Sequence, residues 1–589
     1  MALAAIHKTP SKQRIAPYLS DYEAACRAFT WEAARRELAG MPGGGLNMGY
    51  EAVDRQVAAG YGTRLAARFI DREWRRTDLT YDGLQKASSR FANVLQSLGI
   101  ASGECVATLL GRTPELFAVV LGTLRAGRVC CSLFFQFGPE PLKTRLQLGH
   151  VRVLVTTEAL YRRKLAPIRE ALPELRHVLL VRDAGAGARE LPADTADFAA
   201  LMSTAAETYS VLATRAEEVA LLHFTSGTTG KPKGVTLTHA AVVAHHATSK
   251  LVLDLHPQEI YWCTADPGWV TGIAYGVIGP LTRAAAMIVD SEEFDPQRWY
   301  RILAEERVNV WYTAPTAIRM LMKAGTALAR AHSYPDLRLM LSVGEPLNGE
   351  AVLWGVEAFG MPFHDTWWQT ESGAIMIANF IACDVLPGSM GRVIPGIEAC
   401  LVRRRADGTL EFIESPEDVG EIALRPGWPS MFSSYLGEEG RYRAAFIEGW
   451  YLAGDLARRD REGFFWFIGR ADDVIKSAGH LISPFEIESC LMSHPAVAQA
   501  GVIGIPDPIA GQAVKAFIEL KDGIEQSEEL RRSLLAHARR LLGAVVAPRE
   551  IAFSAALPRT RSGKIMRRLL RARELGLPEG DLSTLEAGT

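Results

Sequence analysis

The stretch Leu221–Val235 reads LLHFTSGTTGKPKGV and is the strongest local signal in the sequence. An apolar strand runs straight into a loop of glycines, hydroxyl side chains and two lysines. Glycines let the backbone approach a polyphosphate closely, while amides, hydroxyls and ammonium groups donate hydrogen bonds to its oxygens. The spacing is not that of a Walker A loop, because Pro232 follows the first lysine. Composition alone leaves two interpretations open, a phosphate-binding loop and a solvated surface turn.

Composition excludes several classes of protein. Of the 589 residues, 48% are apolar and 22% are charged, which is the balance of a globular protein and not of a disordered, collagenous or coiled-coil chain. Lysine and arginine number 65 against 67 acidic residues, so the net charge is -2. No bulk positive field is available to hold nucleic acid or an anionic membrane, and we expect neither as a partner.

The cysteines and the apolar stretches predict a cytoplasmic location. The eight cysteines form no CxxC pair, so buried, reduced thiols are expected. The N-terminus has no apolar segment of signal-peptide length before its charges. The most apolar stretch, Leu116–Leu124, is nine residues long and ends at Arg125. A bilayer span needs about 20 residues.

Alternating strands and helices predict a large N-terminal α/β domain with parallel sheets. The apolar strand Glu104–Leu110 is followed by a helix from Pro114, and the strand Val151–Thr157 by the helical pattern 159–172. Later strands are short and separated by turns, which predicts a small β-barrel-like part. These short strands are Glu398–Arg404, Gly420–Pro426 and Gly463–Gly469.

A third pattern begins near Asp472 and predicts a small, mobile C-terminal α+β domain. Ser483 and Pro484 start a helix, two strands follow, and Ser527 caps a second helix. The charged segment 469–476, GRADDVIK, has the character of a linker. We therefore predict an N-terminal domain over residues 1–471 and a C-terminal domain over residues 472–589.

Further motifs follow the glycine-rich loop in order. Tyr451–Asp455 reads YLAGD, Gly469 and Arg470 come next, and Pro558–Lys564 reads PRTRSGK. With the loop TSGTTGKPKGV, these strings resemble the adenylate-forming superfamily of acyl-CoA synthetases, peptide-synthetase adenylation domains and luciferases. They match its phosphate loop, its ribose-binding signature, its second ribose contact and its catalytic-lysine motif. The resemblance implies an ATP-dependent enzyme with a mobile C-terminal domain.

Within this superfamily the chain is most similar to the acetyl-CoA synthetase branch. Asp365–Gly373 reads DTWWQTESG, Ala265–Gly272 resembles the acyl-pocket segment, and Val343–Pro346 resembles the adenine-binding turn. The resemblance implies that ATP or AMP is bound by a set of residues from these strings. The set is Thr225, Ser226, Gly227, Thr228, Thr229, Gly230, Lys231, Gly344, Glu345, Pro346, Asp365, Thr366, Trp367, Trp368, Gln369, Thr370, Asp455 and Arg470.

Three of the charged residues have a chemistry that suits the implied roles. The Asp455 carboxylate can accept hydrogen bonds from both ribose hydroxyls, and Arg470 can neutralise phosphate or bind ribose. Glu371 offers oxygen to Mg²⁺, a hard cation that prefers oxygen ligands. A lone acidic or basic residue is more often a cap or a surface charge, so the motifs carry these assignments. The resemblance also implies a second metal set, Met492, His494 and Val497.

Trp367 and Trp368 allow two interpretations. Adjacent tryptophans in a loop are more often packing residues. In the acetyl-CoA synthetases, however, the second tryptophan closes the acyl pocket, so that only a very short acid fits. Trp368 is the matching position, and its indole leaves little volume for an alkyl tail. The resemblance implies that Val270, Thr271 and Val343 line the rest of this pocket.

Lys564 follows a glycine between two basic stretches, a pattern that on its own is typical of a solvated tail. The resemblance implies a catalytic ammonium that moves onto the carboxylate and the α-phosphate and stabilises charge there. The C-terminal domain must then rotate between the two steps of the reaction, with Asp472 as the hinge. The implied contacts with coenzyme A are Thr271, Ala478, Gly479 and Arg539.

One departure separates the chain from the acetyl-CoA synthetase branch. After the hinge the branch reads roughly SGHR, with an arginine that approaches the α-phosphate, whereas Ser477–Leu481 reads SAGHL here. Leu481 cannot donate a hydrogen bond to phosphate. We expect His480, a neighbouring arginine or Lys476 to replace that arginine, or the affinity for phosphate to change.

The resemblance implies ligation of a short carboxylic acid, acetate first and propionate second, to coenzyme A. ATP and Mg²⁺ would be required, and an acyl-adenylate would form before AMP leaves. Two alternatives stay open: a ligase for another small or medium-chain acid, and a nucleotide-binding protein with impaired catalysis. Trp368 disfavours the first, whereas Lys564, Glu371 and Asp455 disfavour the second. The family also implies a lysine acetyltransferase and a deacetylase that act on Lys564.

Overall fold

The computed structural model describes residues 4–7, 15–182, 190–225, 232–416, 418–477, 480–508, 510–544, 546–560, 564–580, 582 and 585, with only the backbone of His480 and Leu481. Within these ranges, no helix is both long enough and apolar enough to cross a bilayer. The eight cysteines are all free thiols, of which Cys105, Cys130, Cys131 and Cys490 are buried.

The larger part of the chain, up to Arg470, contains most of the strands and helices. The strands are β1 (Leu65–Ile70), β2 (Arg76–Thr80), β3 (Cys105–Leu109), β4 (Val129–Ser132), β5 (Val151–Thr157), β6 (His177–Val181), β7 (Ala196–Asp197), β8 (Val219–Thr225), β9 (Lys233–Thr238), β10 (Ile260–Cys263), β11 (Ala286–Asp290), β12 (Val310–Thr313), β13 (Leu339–Val343), β14 (Phe363–Trp367), β15 (Ile377–Ala378), β16 (Arg392–Val393), β17 (Ala399–Arg404), β18 (Leu410–Ile413), β19 (Gly420–Leu424), β20 (Ser434–Tyr435), β21 (Phe446–Ile447), β22 (Trp450–Arg459) and β23 (Phe465–Arg470). The α-helices are α1 (Tyr22–Ala28), α2 (Trp31–Arg36), α3 (Tyr81–Ser97), α4 (Pro114–Arg125), α5 (Pro139–Leu148), α6 (Glu158–Leu160), α7 (Phe198–Thr204), α8 (Ala241–Leu251), α9 (Val270–Ile273), α10 (Gly279–Thr282), α11 (Pro296–Glu305), α12 (Pro315–Ala324), α13 (Thr326–Arg330), α14 (Gly349–Phe359) and α15 (Glu439–Ala444).

Two mostly parallel sheets form the centre of this part. Among the described residues, one sheet has the order β20-β9-β8-β4-β3-β5-β6-β7 and the other the order β16-β15-β14-β13-β12-β10-β11-β1-β2. The neighbours from β8 to β7 and from β14 to β1 are all parallel. Every residue of β3 is buried, and so is α4 from Leu116 to Arg125, as expected where helices cover the faces of a parallel sheet. The predicted α/β class with parallel sheets is confirmed.

One predicted helix is broken. The pattern 159–172 was expected to form a single amphipathic helix after β5. Instead α6 ends at Leu160, a π-helical turn covers Tyr161–Leu165, and a 3₁₀ helix covers Ala166–Ala171. Pro167 has no backbone N–H, and its ring clashes with the preceding turn, so a regular α-helix cannot pass through it.

A smaller antiparallel sheet completes the larger part of the chain. Among the described residues it has the order β18-β17-β19-β22-β21, and β23 pairs with β22. The short strands predicted near residues 398, 420 and 463 are β17, β19 and β23. The β22–β23 pair matters for function, because its register sets Asp455 directly opposite Arg470.

Beyond Arg470 the chain forms a separate sheet with its own helices. Its elements are β24 (Ile475–Ser477), β25 (His480–Ile482), α16 (Pro484–Met492), β26 (Val497–Asp507), β27 (Gly511–Leu520), α17 (Glu528–Leu542), β28 (Glu550–Phe553) and α18 (Arg567–Leu575). The predicted caps are confirmed: Ser483 accepts a hydrogen bond from the Glu486 N–H at 3.1 Å, and Ser527 one from the Leu530 N–H at 3.1 Å. A hydrophobic cluster between Ile475 and Ile551 gives this α+β part a core of its own.

Candidate active site

The phosphate-loop strand has the predicted form. Thr225 ends β8, and the register pairs it with Lys233 at the start of the antiparallel β9, so the loop joins two neighbouring strands. The loop itself lies outside the described residues, and its six predicted contacts stay predictions. They are Ser226, Gly227, Thr228, Thr229, Gly230 and Lys231.

The predicted ribose contacts form a hydrogen-bonded cluster around Asp455. Asp455 is 5% exposed, and its Oδ1 lies 2.9 Å from Arg470 Nη1. Oδ2 accepts hydrogen bonds from Trp367 Nε1 at 3.1 Å and from Gln369 Nε2 at 2.7 Å. A carboxylate oxygen has about two lone pairs, so Oδ1 retains room for one hydroxyl. A second hydroxyl on Oδ2 requires Gln369 or Trp367 to move.

The adenine-turn residues follow β13. Gly344 is exposed and has φ +94°, a left-handed conformation that suits glycine. Glu345 is held inside the protein, because its carboxylate accepts from Arg319 Nη2 at 2.6 Å and from the Thr316 hydroxyl at 2.7 Å. The turn 344–346 therefore offers its backbone, and not the Glu345 carboxylate, to a ligand.

The strand β14 carries Asp365, Thr366 and Trp367 into the same region. Its register places Thr366 beside Val343, the last residue of β13. Asp365 is 4% exposed, and burial raises the pKa of its carboxyl to about 7. Hydrogen bonds from the backbone of Leu347 and Thr366 lower the pKa, but by less than burial raises it. Burial therefore disfavours the charged form of the Asp365 carboxyl.

The two tryptophans separate, as neighbours on a strand do. Trp367 is 8% exposed and points toward Asp455, to which its indole donates a hydrogen bond. Trp368 packs edge-on against Tyr275, with ring centroids 5.2 Å apart and planes 83° apart. Trp367 is therefore a packing residue that also contacts Asp455, whereas Trp368 also packs against the core and its role as a pocket wall stays a prediction.

Glu371 has a tyrosine and a lysine as neighbours. Its Oε1 accepts a hydrogen bond from the Tyr435 hydroxyl at 2.8 Å. The Lys233 ammonium lies 5.5 Å from the Tyr435 ring centroid, and burial lowers its pKa while the charge of Glu371 raises it. A carboxylate beside a phosphate loop is the oxygen donor that Mg²⁺ takes together with substrate phosphates, so the residues present fit that ion.

The acyl-pocket segment forms the start of a helix over β10. Val270 and Thr271 open α9, and a π-helical turn at Ala274–Ile278 continues it. Trp269 occupies the N-cap position of this helix, and its ring packs at a tilt of 37° against Phe134, with centroids 5.4 Å apart. Val343 is 6% exposed at the end of β13, two strands away from β10 in the same sheet.

Of the predicted residues beyond Arg470, Asp472 makes an ion pair with this cluster, through Arg470. Lys564 is exposed, and Thr560 holds its backbone on both sides: Lys564 N–H donates to Thr560 Oγ1 at 3.0 Å, and Thr560 N–H donates to Lys564 C=O at 2.7 Å. Asp472 is 47% exposed in its side chain and lies 3.6 Å from Arg470 Nε. Arg539 is exposed on α17.

The remaining predictions for this part stay untested. Ala478, Gly479 and the side chains of His480 and Leu481 lie outside the described residues. His494 accepts at Nδ1 from the Ala496 N–H at 3.2 Å and lies 3.3 Å from the Ser533 hydroxyl at Nε2. Within the described residues, no three His, Cys, Asp or Glu side chains gather as a metal site. The set Met492, His494 and Val497 would have to bind a metal mainly through backbone carbonyls.

Sequence reasoning missed several residues of this cluster. Lys233 was visible as the second lysine of KPK, and Tyr451 as the first residue of YLAGD; the Tyr451 hydroxyl donates to Gln369 Oε1 at 2.8 Å. Arg319, Tyr275 and Tyr435 carry no local signal, because each reaches its partner from a distant element.

Comparisons with known proteins show the family of the chain. The model of the AMP-binding enzyme family matches residues 54–436, and that of the AMP-binding enzyme C-terminal domain matches residues 486–564. The chain is 41% identical over 570 residues to an acetyl-coenzyme A synthetase of Bacillus subtilis (strain 168), covering 96% of this chain and 97% of that protein. It is 38% identical to an acetyl-coenzyme A synthetase of Methanothrix thermoacetophila, covering 92% and 85%.

Solved structures show the same fold. An acyl-CoA synthetase of Brucella canis is similar with a TM-score of 0.73 and 35% identity, over 95% of this chain and 99% of that one. An anthranilate CoA ligase in complex with anthranoyl-AMP is similar with a TM-score of 0.80 and 25% identity, over 93% and 99%. The chain therefore belongs to the AMP-binding enzyme family and contains both the AMP-binding domain and the C-terminal domain of that family.

Proposed function

We propose that this protein is an AMP-forming acetate–CoA ligase. It joins a short carboxylic acid, acetate first and propionate second, to coenzyme A, with cleavage of ATP to AMP and pyrophosphate. The observation that carries the acid class is the packing of Trp368 edge-on against the fully buried Tyr275, 5.2 Å between centroids, which holds the indole in place as the proposed pocket wall. Val270, Thr271 and Val343 are the proposed remainder of the pocket lining. The identity to acetyl-coenzyme A synthetases over almost the whole chain supports the same assignment.

The nucleotide is bound by the cluster around Asp455. One ribose hydroxyl donates to Asp455 Oδ1, beside the Arg470 guanidinium that lies 2.9 Å from the same oxygen. The turn 344–346 contacts the adenine through its backbone. The loop 226–231 is the proposed phosphate contact. The Lys233 ammonium is proposed to act with it, because the register of β8 and β9 pairs Lys233 with Thr225, the residue before the loop.

The first step is an in-line displacement on the α-phosphorus. A carboxylate oxygen of the acid forms the new O–P bond, and pyrophosphate leaves with the electron pair of the broken bond. Both reactants are anions, so a cation must offset their repulsion. Lys564 supplies that cation after the C-terminal domain has rotated about Asp472.

The second step breaks the mixed anhydride. The coenzyme A thiol, after losing its proton, attacks the carbonyl carbon, and AMP leaves with the electrons of the C–O bond. Lys564 and the thiol need the same space, so the C-terminal domain (472–589) turns away from its first position. Thr271, Ala478, Gly479 and Arg539 are the proposed contacts with coenzyme A.

Magnesium is proposed to be held by Glu371, whose carboxylate the Tyr435 hydroxyl orients at 2.8 Å. When bound, the ion neutralises negative charge on the phosphates of ATP. Burial lowers the pKa of the nearby Lys233, while Glu371 acts against that shift and helps to keep the ammonium charged beside the same phosphates.

The free cysteine thiols bear on the location of the enzyme, and the exposed Lys564 bears on its control. All eight cysteines are free thiols, which favours a reducing, cytoplasmic compartment. Lys564 is exposed in this arrangement of the chain, so an acetyltransferase can reach it. Acetylation would remove the charge that the first step needs.

Exchange of labelled pyrophosphate into ATP tests the function. We expect exchange that depends on added acid and on Mg²⁺, fastest with acetate in a series of acids from C2 to C8. If exchange were fastest with a C6 or C8 acid, the protein would be a ligase for medium-chain acids. If no acid supported exchange but ATP still bound, the protein would be a nucleotide-binding protein with impaired catalysis.

A further inference from the structure

Tyr275 contacts both ends of the loop that carries the proposed pocket wall and the proposed magnesium ligand. Its ring meets Trp368 at 5.2 Å between centroids, with the planes 83° apart. Its hydroxyl accepts a hydrogen bond from the Ile375 N–H at 2.9 Å. Glu371 lies between these two contacts along the chain. One side chain thus fixes the loop 368–375 on either side of Glu371.

The hydroxyl of Tyr275 is part of a hydrogen-bond chain with a defined direction. The Thr248 hydroxyl donates to the Ala244 carbonyl at 2.7 Å, which uses its single proton. Tyr275, 2.7 Å from Thr248 Oγ1, must therefore donate to Thr248. The chain runs from the Ile375 N–H through Tyr275 and Thr248 to the backbone of α8. Each hydrogen bond in such a chain polarises the next one, so that the bonds strengthen one another.

Tyr275 is enclosed by other aromatic rings. It is fully buried, and Tyr312 packs edge-on against it at 5.9 Å with planes 88° apart. His245 is a third ring neighbour, at 6.0 Å. Its Nε2–H donates to the Gly373 carbonyl at 2.9 Å, since a carbonyl can only accept. The helix α8 therefore holds the loop 368–375 at Gly373 directly and at Ile375 through Tyr275.

Trp368 is held mainly by such ring packing. The polar neighbour of its indole is the side chain of Tyr312, which also packs against Tyr275. The ring of Tyr275 stands directly against the indole, so it limits how far the indole can swing away from the acyl chain. A longer acid needs that movement, because its extra methylenes must occupy space that the indole now takes.

We propose that Tyr275 is the positioning residue that sets the acid-length limit of this enzyme, through its ring, and that fixes Glu371 for catalysis, through its hydroxyl. This inference rests on the proposed function. It assigns two separable effects to one side chain: the ring acts on the choice of acid, and the hydroxyl acts on all acids alike.

Three variants separate these effects. Tyr275→Leu removes the ring, so the ratio of kcat/KM for butanoate to that for acetate should rise roughly 4- to 15-fold, the value of one or two buried methylenes. Tyr275→Phe removes only the hydroxyl, so the acid ratio should stay within about twofold while kcat/KM for ATP falls roughly 2- to 10-fold with every acid, the size of one lost hydrogen bond. Thr248→Val, which removes the acceptor and keeps the shape, should behave like Tyr275→Phe.

An equal loss of activity with every acid would overturn the inference. If Tyr275→Leu lowers the rate with all acids equally and leaves the butanoate-to-acetate ratio unchanged, Tyr275 is only a core residue. Should Tyr275→Leu not fold, Tyr275→Met is measured against the same criterion. Wild type and Trp368→Gly run in the same panel. A shift in Trp368→Gly without one in Tyr275→Leu rejects the inference alone, whereas no shift in Trp368→Gly rejects the acyl-pocket assignment.

Discussion

Asp455 and Lys564 lie in two regions of the protein that are built in opposite ways. Asp455 is 5% exposed, and its carboxylate accepts three hydrogen bonds from side chains of β14, of the following loop and of β23. Lys564 is exposed, and the hydrogen bonds from Thr560 hold its backbone. The Asp455 carboxylate is therefore fixed before any ligand binds, whereas the exposed Lys564 side chain can change its position when a ligand binds.

This difference corresponds to a division of labour between the two steps. The nucleotide is present in both steps, as ATP and then as the acyl-adenylate, so its binding groups gain from rigidity. Charge between the acid and the phosphate must be offset only in the first step. A cation on a separate domain can leave afterwards and make room for the thiol. Variants in the two regions should therefore change different half-reactions.

Lys564→Ala should give the largest effect. Without the ammonium, acid-dependent pyrophosphate exchange should fall by roughly 100- to 1,000-fold or more, the loss typical of a removed electrostatic contact in a transition state. Thioester formation from supplied acetyl-adenylate and coenzyme A, followed in a single turnover, should change by less than about fivefold, because no charge develops on phosphate that the ammonium would stabilise.

The control for that prediction is Lys564→Arg, which keeps the charge and should retain more exchange than Lys564→Ala. Equal losses in both half-reactions would mean that the lysine serves both steps or the fold. The two regions would then not be divided as described above.

Asp455→Asn should act on both half-reactions together. The amide N–H₂ of asparagine cannot accept hydrogen bonds from Arg470, Trp367 or Gln369, which now donate to the carboxylate. A hydrogen bond to a charged group contributes about 1.5–3 kcal/mol. We expect affinity for ATP and for acetyl-adenylate to fall by roughly 10- to 150-fold alike. Titration calorimetry with ATP and with a non-hydrolysable acyl-adenylate analogue measures both.

Asp472→Asn is the matched control for Asp455→Asn. Asp472 also faces Arg470, at 3.6 Å, but its side chain is 47% exposed. Its pair with Arg470 should contribute little to binding, since exposed pairs are screened by water. Loss of affinity for ATP alone in Asp455→Asn, with acetyl-adenylate unaffected, would contradict a shared ribose site.

Trp368→Gly should change the acid that is preferred. Removal of the indole leaves a void that an alkyl tail can fill, at about 0.8 kcal/mol per buried methylene. Two or three methylenes are then worth roughly a 15- to 60-fold gain in relative kcat/KM, and acetate should bind worse because it no longer fills its cavity. A series of acids from C2 to C8 measures the shift.

The neighbouring tryptophan supplies the control. Trp367→Phe keeps an aromatic ring in the core but removes the indole N–H that donates to Asp455 at 3.1 Å. It should weaken ATP binding and leave the preferred acid unchanged. If Trp368→Gly still prefers acetate to hexanoate, Trp368 is a packing residue and the short-chain assignment loses its main support.

The parts of this molecule that could be predicted from sequence are those with a local cause. Ser483 and Ser527 start helices because a hydroxyl can cap the first turn, and both caps are present. The strand before the glycine-rich loop was visible as an apolar run. The broken helix at Pro167 was missed although its signal was local, because the amphipathic pattern continued through the proline.

Contacts between distant segments could not be predicted in this way. Tyr275 and Ile375 are 100 residues apart, and Glu371 and Tyr435 are 64 apart. Neither pair has a periodicity or a spacing that links its members, and only the arrangement of strands and helices brings them together. The same holds for Arg319 and Glu345, where a motif residue proved to be held by an arginine outside every motif.

The buried histidines extend the comparison between the two regions to stability. Burial lowers the pKa of His223 to about 3, and that of His239, His245 and His246 to about 4; all four lie before Arg470. His494 and His537, beyond Arg470, are only partly buried. Since the unfolded chain has a histidine pKa of about 6.5, it takes up protons first as the pH falls. Stability is therefore lost from about pH 6.5 downward, until the folded pKa is passed.

His223→Leu should reduce this acid sensitivity. Neither ring nitrogen of His223 has a hydrogen-bond partner among the described residues, so leucine loses no polar contact there. Between pH 7 and pH 5, the variant should lose about 2 kcal/mol less free energy of unfolding than wild type, the linkage contribution of one buried neutral histidine. Urea unfolding at both pH values measures this, with the exposed His150→Gln as control, in which the wild-type loss should persist. An unchanged pH dependence in His223→Leu would show that this imidazole is protonated in the folded protein and that the interior behind the phosphate loop is more polar than its packing indicates.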